Sequence, residues 1–169
     1  RFADRIASFT SISGPSLDHA RRWLRSARQH PLASARQLLA SYYIAFFQLP
    51  VLPETVMGSR AIDRMISGPL TGRRTEADRR NGIQLYRANL RPRRGRPEPQ
   101  RTSIPVQVLA PTHDAFVSTA LQTQAPAPYV SDLTTRTVSG GHWVIAERPD
   151  VIARCVTEFV YRVDGGTGL

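Results

Sequence analysis

Residues 132–162 read "DLTTRTVSGGHWVIAERPDVIARCVTEFVYR", and the hydrophobic period changes partway through. Thr134, Thr135, Thr137 and Val138 are β-branched and predict a strand. Val151, Ile152, Cys155, Val156, Phe159 and Val160 recur at helical spacing and predict the buried face of a helix. Pro149 falls in that helix's first turn, where its missing N–H leaves nothing unsatisfied. Between strand and helix, Gly140 and Gly141 lead into His142. Glycine permits backbone conformations closed to other residues, so the loop reads as one that exposes a working imidazole. The competing reading is a turn that happens to hold a histidine.

Working outward, "IPVQVLAPTHD" (104–114) predicts a strand that ends at a polar pair, His113 and Asp114. "FVSTALQTQ" (116–124) predicts a short helix after it. At the other end, residues 4–13, "DRIASFTSIS", predict a strand buried on both faces, with small and apolar residues mixed on each. Four helices then follow. Ser16 can cap the first, residues 17–29. Residues 33–48 form the second, which stops where Pro50 and Pro53 forbid continuation. A third covers 55–67, ending near Gly68 and Pro69. The fourth covers 75–90, with Thr75 and Asp78 as an approximate capping box. The expected divisions are a core strand (1–14), a helical cap (15–91), a linker (92–103), the rest of the core (104–163) and a tail (164–169).

The 169 residues are 41% hydrophobic, enough for one domain with a core. No apolar run approaches the roughly 18–20 residues of a membrane span, and no secretory leader is visible, which predicts a cytoplasmic protein. Cys155 is the only cysteine, so no intrachain disulfide forms, and it is expected to be inert core. The net charge is +10, carried by 23 arginines with no lysine, ten of them between Arg73 and Arg101. Such a cluster could meet a polyanion. However, "RPRRGRPEPQR" (91–101) has three prolines and no aromatic on which a base could stack, so it reads as a solvated linker and not as a nucleic-acid site.

In open α/β sheets, active sites form beyond the carboxyl ends of the strands. Two such ends here carry Asp114 and then His142, the order of the last two triad members in an α/β-hydrolase. "RFADRIASFTSISGP", "IPVQVLAPTHDAFV" and "GGHWVIAERPDVI" resemble three segments of that fold: the strand after the nucleophile helix, the acid loop, and the histidine loop with the final helix. "YYIAFFQLP" and "GIQLYRANL" are similar to the two cap motifs of epoxide hydrolases, placing their tyrosines at Tyr43 and Tyr86. The implied fold is α/β: the C-terminal part of an α/β-hydrolase, about three strands of a mostly parallel sheet with a helical cap insertion.

The resemblance implies a reaction. In that family a carboxylate attacks an epoxide carbon and forms an ester, two phenols donate to the epoxide oxygen, and a histidine activates the water that cleaves the ester. His142 would be the base, Asp114 its partner, and Tyr43 and Tyr86 the phenols. Phe46 and Phe47 would line an apolar pocket or pack the cap, and Trp143 would wall the pocket or pack beside the base. Read without the family, the aromatics at 42, 43, 46 and 47 are ordinary helix core, and Tyr42 rivals Tyr43. His19, His30 and Arg22 read as surface residues of the cap. His113 is poorly placed to pair with its neighbour Asp114.

The nucleophile's Gly-x-Asp-x-Gly-like elbow is absent from these residues. The N-terminal half of a hydrolase domain is therefore an expected partner. The first strand should leave an apolar edge uncovered. The substrate implied is a small, apolar epoxide. No cofactor or metal is expected, and "DGGTGL" permits a further C-terminal domain. The alternatives are a haloalkane dehalogenase, an esterase, or a non-catalytic binding fragment.

Overall fold

The computed structural model describes residues 5–59, 62, 75–90 and 101–165. They fall into two compact units, residues 1–37 with 98–169, and residues 38–97. In the first, β1 (Phe9–Ile12), β2 (Val106–Pro111) and β3 (Leu133–Val138) form a parallel sheet in the order β1-β2-β3. Phe9 lies beside Val106, and Val106 beside Leu133.

β2 is the central strand and is buried along its whole length. Its alternation sorts the core. Val106, Val108 and Ala110 pack with Val130 on one face. Leu109, on the other face, packs with Val138, Val144 and Ile152. Gln107 shares the face of Leu109, and its amide donates to the Cys155 carbonyl at 3.2 Å. β1 is an edge strand, shorter than residues 4–13, and Phe9 on it is 56% exposed.

The helices of this unit are α1 (Leu17–Arg25), most of α2 (Pro31–Ala40), α6 (Thr119–Gln124), α7 (Val144–Glu147) and α8 (Pro149–Val163). Trp23 of α1 packs on Leu121 and Ala125 of the α6 region, so α1 groups with the sheet. The predicted helix 17–29 is shorter, ending in a 3-10 turn at Ala27–Gln29. His30 is not a simple surface residue. It stacks on Trp23 at 3.9 Å, with both ring nitrogens bonded, to Ser26 and Ser34. His19 likewise stacks on Tyr129, at 4.5 Å. In α8, Phe159 is buried, but Val160 is 39% exposed. Adjacent helical positions point about 100° apart, so both cannot sit at the centre of one face.

The second unit holds the end of α2, then α3 (Tyr42–Gln48), α4 (Leu52–Met57) and α5 (Glu76–Leu90). The predicted helix 33–48 is two helices. At Ser41 the backbone takes a 3-10 bond, Ser41 N–H to Leu38 O, and the α-helical run is interrupted there. Helix α4 starts at Leu52, and the remainder of the predicted helix 55–67, apart from Gly58, Ser59 and Ile62, lies outside the described residues. Most of the linker and the tail does too. The capping box at α5 forms: Asp78 N–H donates to Thr75 Oγ1 at 3.2 Å, and Thr75 N–H to Asp78 Oδ2 at 2.8 Å. Phe47, Met57 and Ile83 make the unit's core, with Tyr43, Phe46 and Ile62 against it.

Candidate functional site

In the first unit, Asp114 and His142 meet beyond the carboxyl ends of adjacent strands. The two loops continue the alignment of β2 and β3: Thr112 N–H donates to Val138 O, and His113 N–H to Gly140 O, both at 3.0 Å. His142 Nδ1 lies 2.9 Å from Asp114 Oδ2. A carboxylate only accepts, so Nδ1 carries the proton and Nε2 is the basic nitrogen of the neutral ring.

The Asp114 side chain is fully buried, while that of His142 is 26% exposed. A buried carboxylate must be fully hydrogen-bonded. Oδ1 accepts from the amides of Phe116 at 2.8 Å and Val117 at 2.9 Å. Gln122 Nε2 approaches Oδ2 at 3.4 Å. These bonds explain why helix α6 starts later than residue 116: two amides that could open a helix are turned to the aspartate, and Ser118 Oγ caps it instead, accepting from Leu121 N–H.

Gln37 braces the same turn. It is buried, its Nε2 donates to Phe116 O at 3.0 Å, and its Oε1 accepts from Ser118 N–H at 2.7 Å. Sequence reasoning missed Gln37 and Gln122. A polar residue among the apolar positions of a helix was the available signal. The partners of Gln37, about eighty positions away, leave no local pattern, while Gln122 reaches Asp114 eight positions back.

The histidine loop is held by its own next helix. Gly141 N–H donates to Glu147 Oε2 at 3.1 Å. Gly140 has φ +156°, and a Cβ there would lie 2.7 Å from Val144 Cγ2. The glycine is needed for close approach as well as for conformation. Phe116 and Trp143 flank the imidazole edge-on, with centroids at 5.1 and 4.9 Å. His113 pairs instead with Thr112 Oγ1 at 3.0 Å.

In the second unit, Tyr43 and Tyr86 are neighbours. Their ring centroids lie 5.8 Å apart at 84°, and Phe47 touches both, at 5.7 and 5.0 Å. Tyr42, the rival, is 75% exposed and meets Tyr43 edge-on. Phe47 is buried in the helical core and Phe46 packs against it. Among the described residues no group of three or more His, Cys, Asp or Glu side chains could hold a metal ion, and no helix is long and apolar enough to cross a membrane.

No protein-family model matches the chain. It is 30% identical to a probable oxidoreductase EphD of Mycobacterium tuberculosis and to that of Mycobacterium bovis, over 96% of this chain. It spans only 31% of the length of those relatives. An epoxide hydrolase from Bacillus megaterium superposes with a TM-score of 0.67 at 17% identity, over 95% of this chain and 62% of that one. Epoxide hydrolases of the α/β-hydrolase superfamily from hot-environment metagenomes superpose at 0.53 and 18% identity, over 89% of this chain and 58% of theirs. The three parallel strands and their helices therefore carry part of the α/β-hydrolase fold, with solved epoxide hydrolases as structural neighbours.

Proposed function

We propose that this chain supplies the acid–base pair and the cap tyrosines of an epoxide hydrolase, which converts an apolar epoxide to a vicinal diol through an ester on a carboxylate. The nucleophile is provided by residues outside this sequence. The tyrosines lie in the unit of residues 38–97, within the stretch read as the cap. Tyr43 and Tyr86 donate to the epoxide oxygen as the ring opens, since neutral phenols can meet the charge that develops there. His142 Nε2 then takes a proton from the water that cleaves the ester. Asp114 holds the imidazole's tautomer and stabilises its charged form. Trp143 and Phe116 wall the base, and Phe46 and Phe47 give the tyrosines an apolar setting.

The observation that carries this reading is the side-by-side placement of Tyr43 and Tyr86. An Asp–His pair alone would serve a dehalogenase or an esterase equally well, but neither needs two phenols. The test uses the complete protein with a panel of epoxides, a haloalkane and an ester. Diol formation that is lost in the Tyr43→Phe/Tyr86→Phe variant is the expected result. Turnover that persists without both phenols, or turnover of only the haloalkane or the ester, assigns the chain elsewhere. No turnover of any of them would favour a binding role.

A further inference from the structure

The second cap motif contains an arginine for which the proposed reaction has no role. Arg87 follows Tyr86 directly, and its side chain is only 13% exposed. The guanidinium makes bonds in three directions. Nε donates to Phe47 O at 2.8 Å, in the last turn of the helix that carries Tyr43, and Nη2 to the carbonyl of Leu49, its C-cap, at 2.5 Å. Nη1 and Nη2 both reach the Glu54 carboxylate in α4, the second at 3.1 Å. A planar fork of fixed donors suits this task, which the single ammonium of lysine could not perform.

The segment held this way is strained. Val51 has φ +61° and ψ −43°, and Leu52 N–H bonds back to Pro50 O at 2.6 Å. This is close to the γ-turn with positive φ, which is rare and unfavourable, more so for a β-branched residue. Such a conformation persists only where its surroundings over-determine it. Val51 itself is 74% exposed, so packing does not hold it. Arg87 grips the chain on both sides, at Leu49 before the turn and at Glu54 after it. The last turn of α3 is thereby tied to α5 one residue beyond Tyr86.

We propose that Arg87, seated on Glu54, is the positioning residue of the tyrosine pair: it fixes the end of α3 and the strained Val51 turn, so that the Tyr43 ring meets that of Tyr86. This rests on the reading of the tyrosines as the proton donors. The pair then depends on one guanidinium as well as on aromatic packing, and a displacement of about 1 Å in such a pair can cost about 10²-fold in rate.

The experiment compares Arg87→Ala and Arg87→Lys in the complete protein, each alone and in a Tyr43→Phe background. It reads kcat and KM with an aryl glycidyl ether, and the nuclear Overhauser contact between the two tyrosine rings. The expected result is a kcat lowered about 10²-fold with KM changed much less, no rescue by lysine, and loss of the ring contact. In the Tyr43→Phe background the arginine change should cost little more, because both act through one group. Effects that multiply across the two backgrounds, or a wild-type kcat with the ring contact intact, overturn the proposal. If the wild-type protein opens no epoxide, the functional reading fails, and the ring contact alone decides. Its loss in both arginine variants supports the clamp, and its survival sinks it.

Discussion

The Asp114–His142 pair and the Tyr43–Tyr86 pair are held by opposite means. The first stands on backbone. Two adjacent parallel strands deliver it, two amides seat the buried carboxylate, and a glycine packed against Val144 sets the imidazole. The second stands on side chains. One short helix and one long helix deliver it, aromatic edges set the distance, and one arginine fork ties the helix ends together. A site on a sheet end is fixed by many main-chain bonds at once. A site set between packed helices depends on a few long side chains, each of which one substitution can remove.

The sharpest way to break the contrast is to change one atom in the first pair. Asp114→Asn keeps the size of the side chain but removes the acceptor that fixes the His142 tautomer. Turnover by the complete protein should fall by about 10⁴-fold, as it does when the acid of a comparable triad is made neutral. Circular dichroism and the denaturation midpoint show whether the fold survives the change. A drop of tenfold or less would mean that the carboxylate does not orient the base. On the other side, Tyr43→Phe alone should cost about 10²-fold, less than the acid, because Tyr86 still donates. Equal losses in the two variants would erase the distinction.

The backbone pair should also be the more sensitive to added volume. Gly140→Ala forces a Cβ to 2.7 Å from Val144 Cγ2. Overpacking of this kind costs about 1–3 kcal/mol, read as a lower urea midpoint. Val144→Ala in the same chain should recover part of it. No recovery would mean that the backbone conformation, rather than the contact, sets the requirement. Smaller effects separate the helix caps. Ser118→Ala in the first unit and Thr75→Ala in the second should each cost about 1 kcal/mol in denaturant unfolding. Only the Ser118 change should also loosen the Asp114 turn, visible as faster amide exchange at Phe116 and Val117.

The same contrast explains what the sequence made legible. Asp114 and His142 stood out because strand ends and a Gly-Gly hinge are local signals, and so did the Thr75–Asp78 box and Pro149 in the first turn of α8. The break at Ser41 did not, since the apolar pattern runs straight through it and only the backbone bond to Leu38 reveals it. Neither did the supports. Gln37 bonds Ser118, Gln122 reaches Asp114 and Arg87 reaches Glu54, and in each case the partner is set by the fold rather than by spacing. The aromatic run at 42–47 offered two tyrosines, and burial distinguishes them: Tyr43 joins the core cluster while Tyr42 faces outward. Residues proposed to do chemistry carried type and placement in the sequence. Residues that hold them in place carried only type.

The gentlest probe of the side-chain-held pair is acid. Arg87, donating to Glu54, holds that carboxyl below its ordinary range, with partial burial opposing. A carboxyl depressed in the folded state stabilises it above the unfolded-state value and loses that contribution as pH falls through the folded value. The window therefore opens below pH 4.5 and extends downward. Amide exchange of residues 42–57 should quicken across that window in the wild type, whereas Glu54→Gln should already be fast at neutral pH and change less. The sheet peptides 106–111 carry no part of this clamp and report the general effect of acid. Parallel acid sensitivity of both segments, with no difference in the glutamine variant, would show that the helical pair is held by its aromatic packing alone and that the contrast between the two units is one of geometry, not of charge.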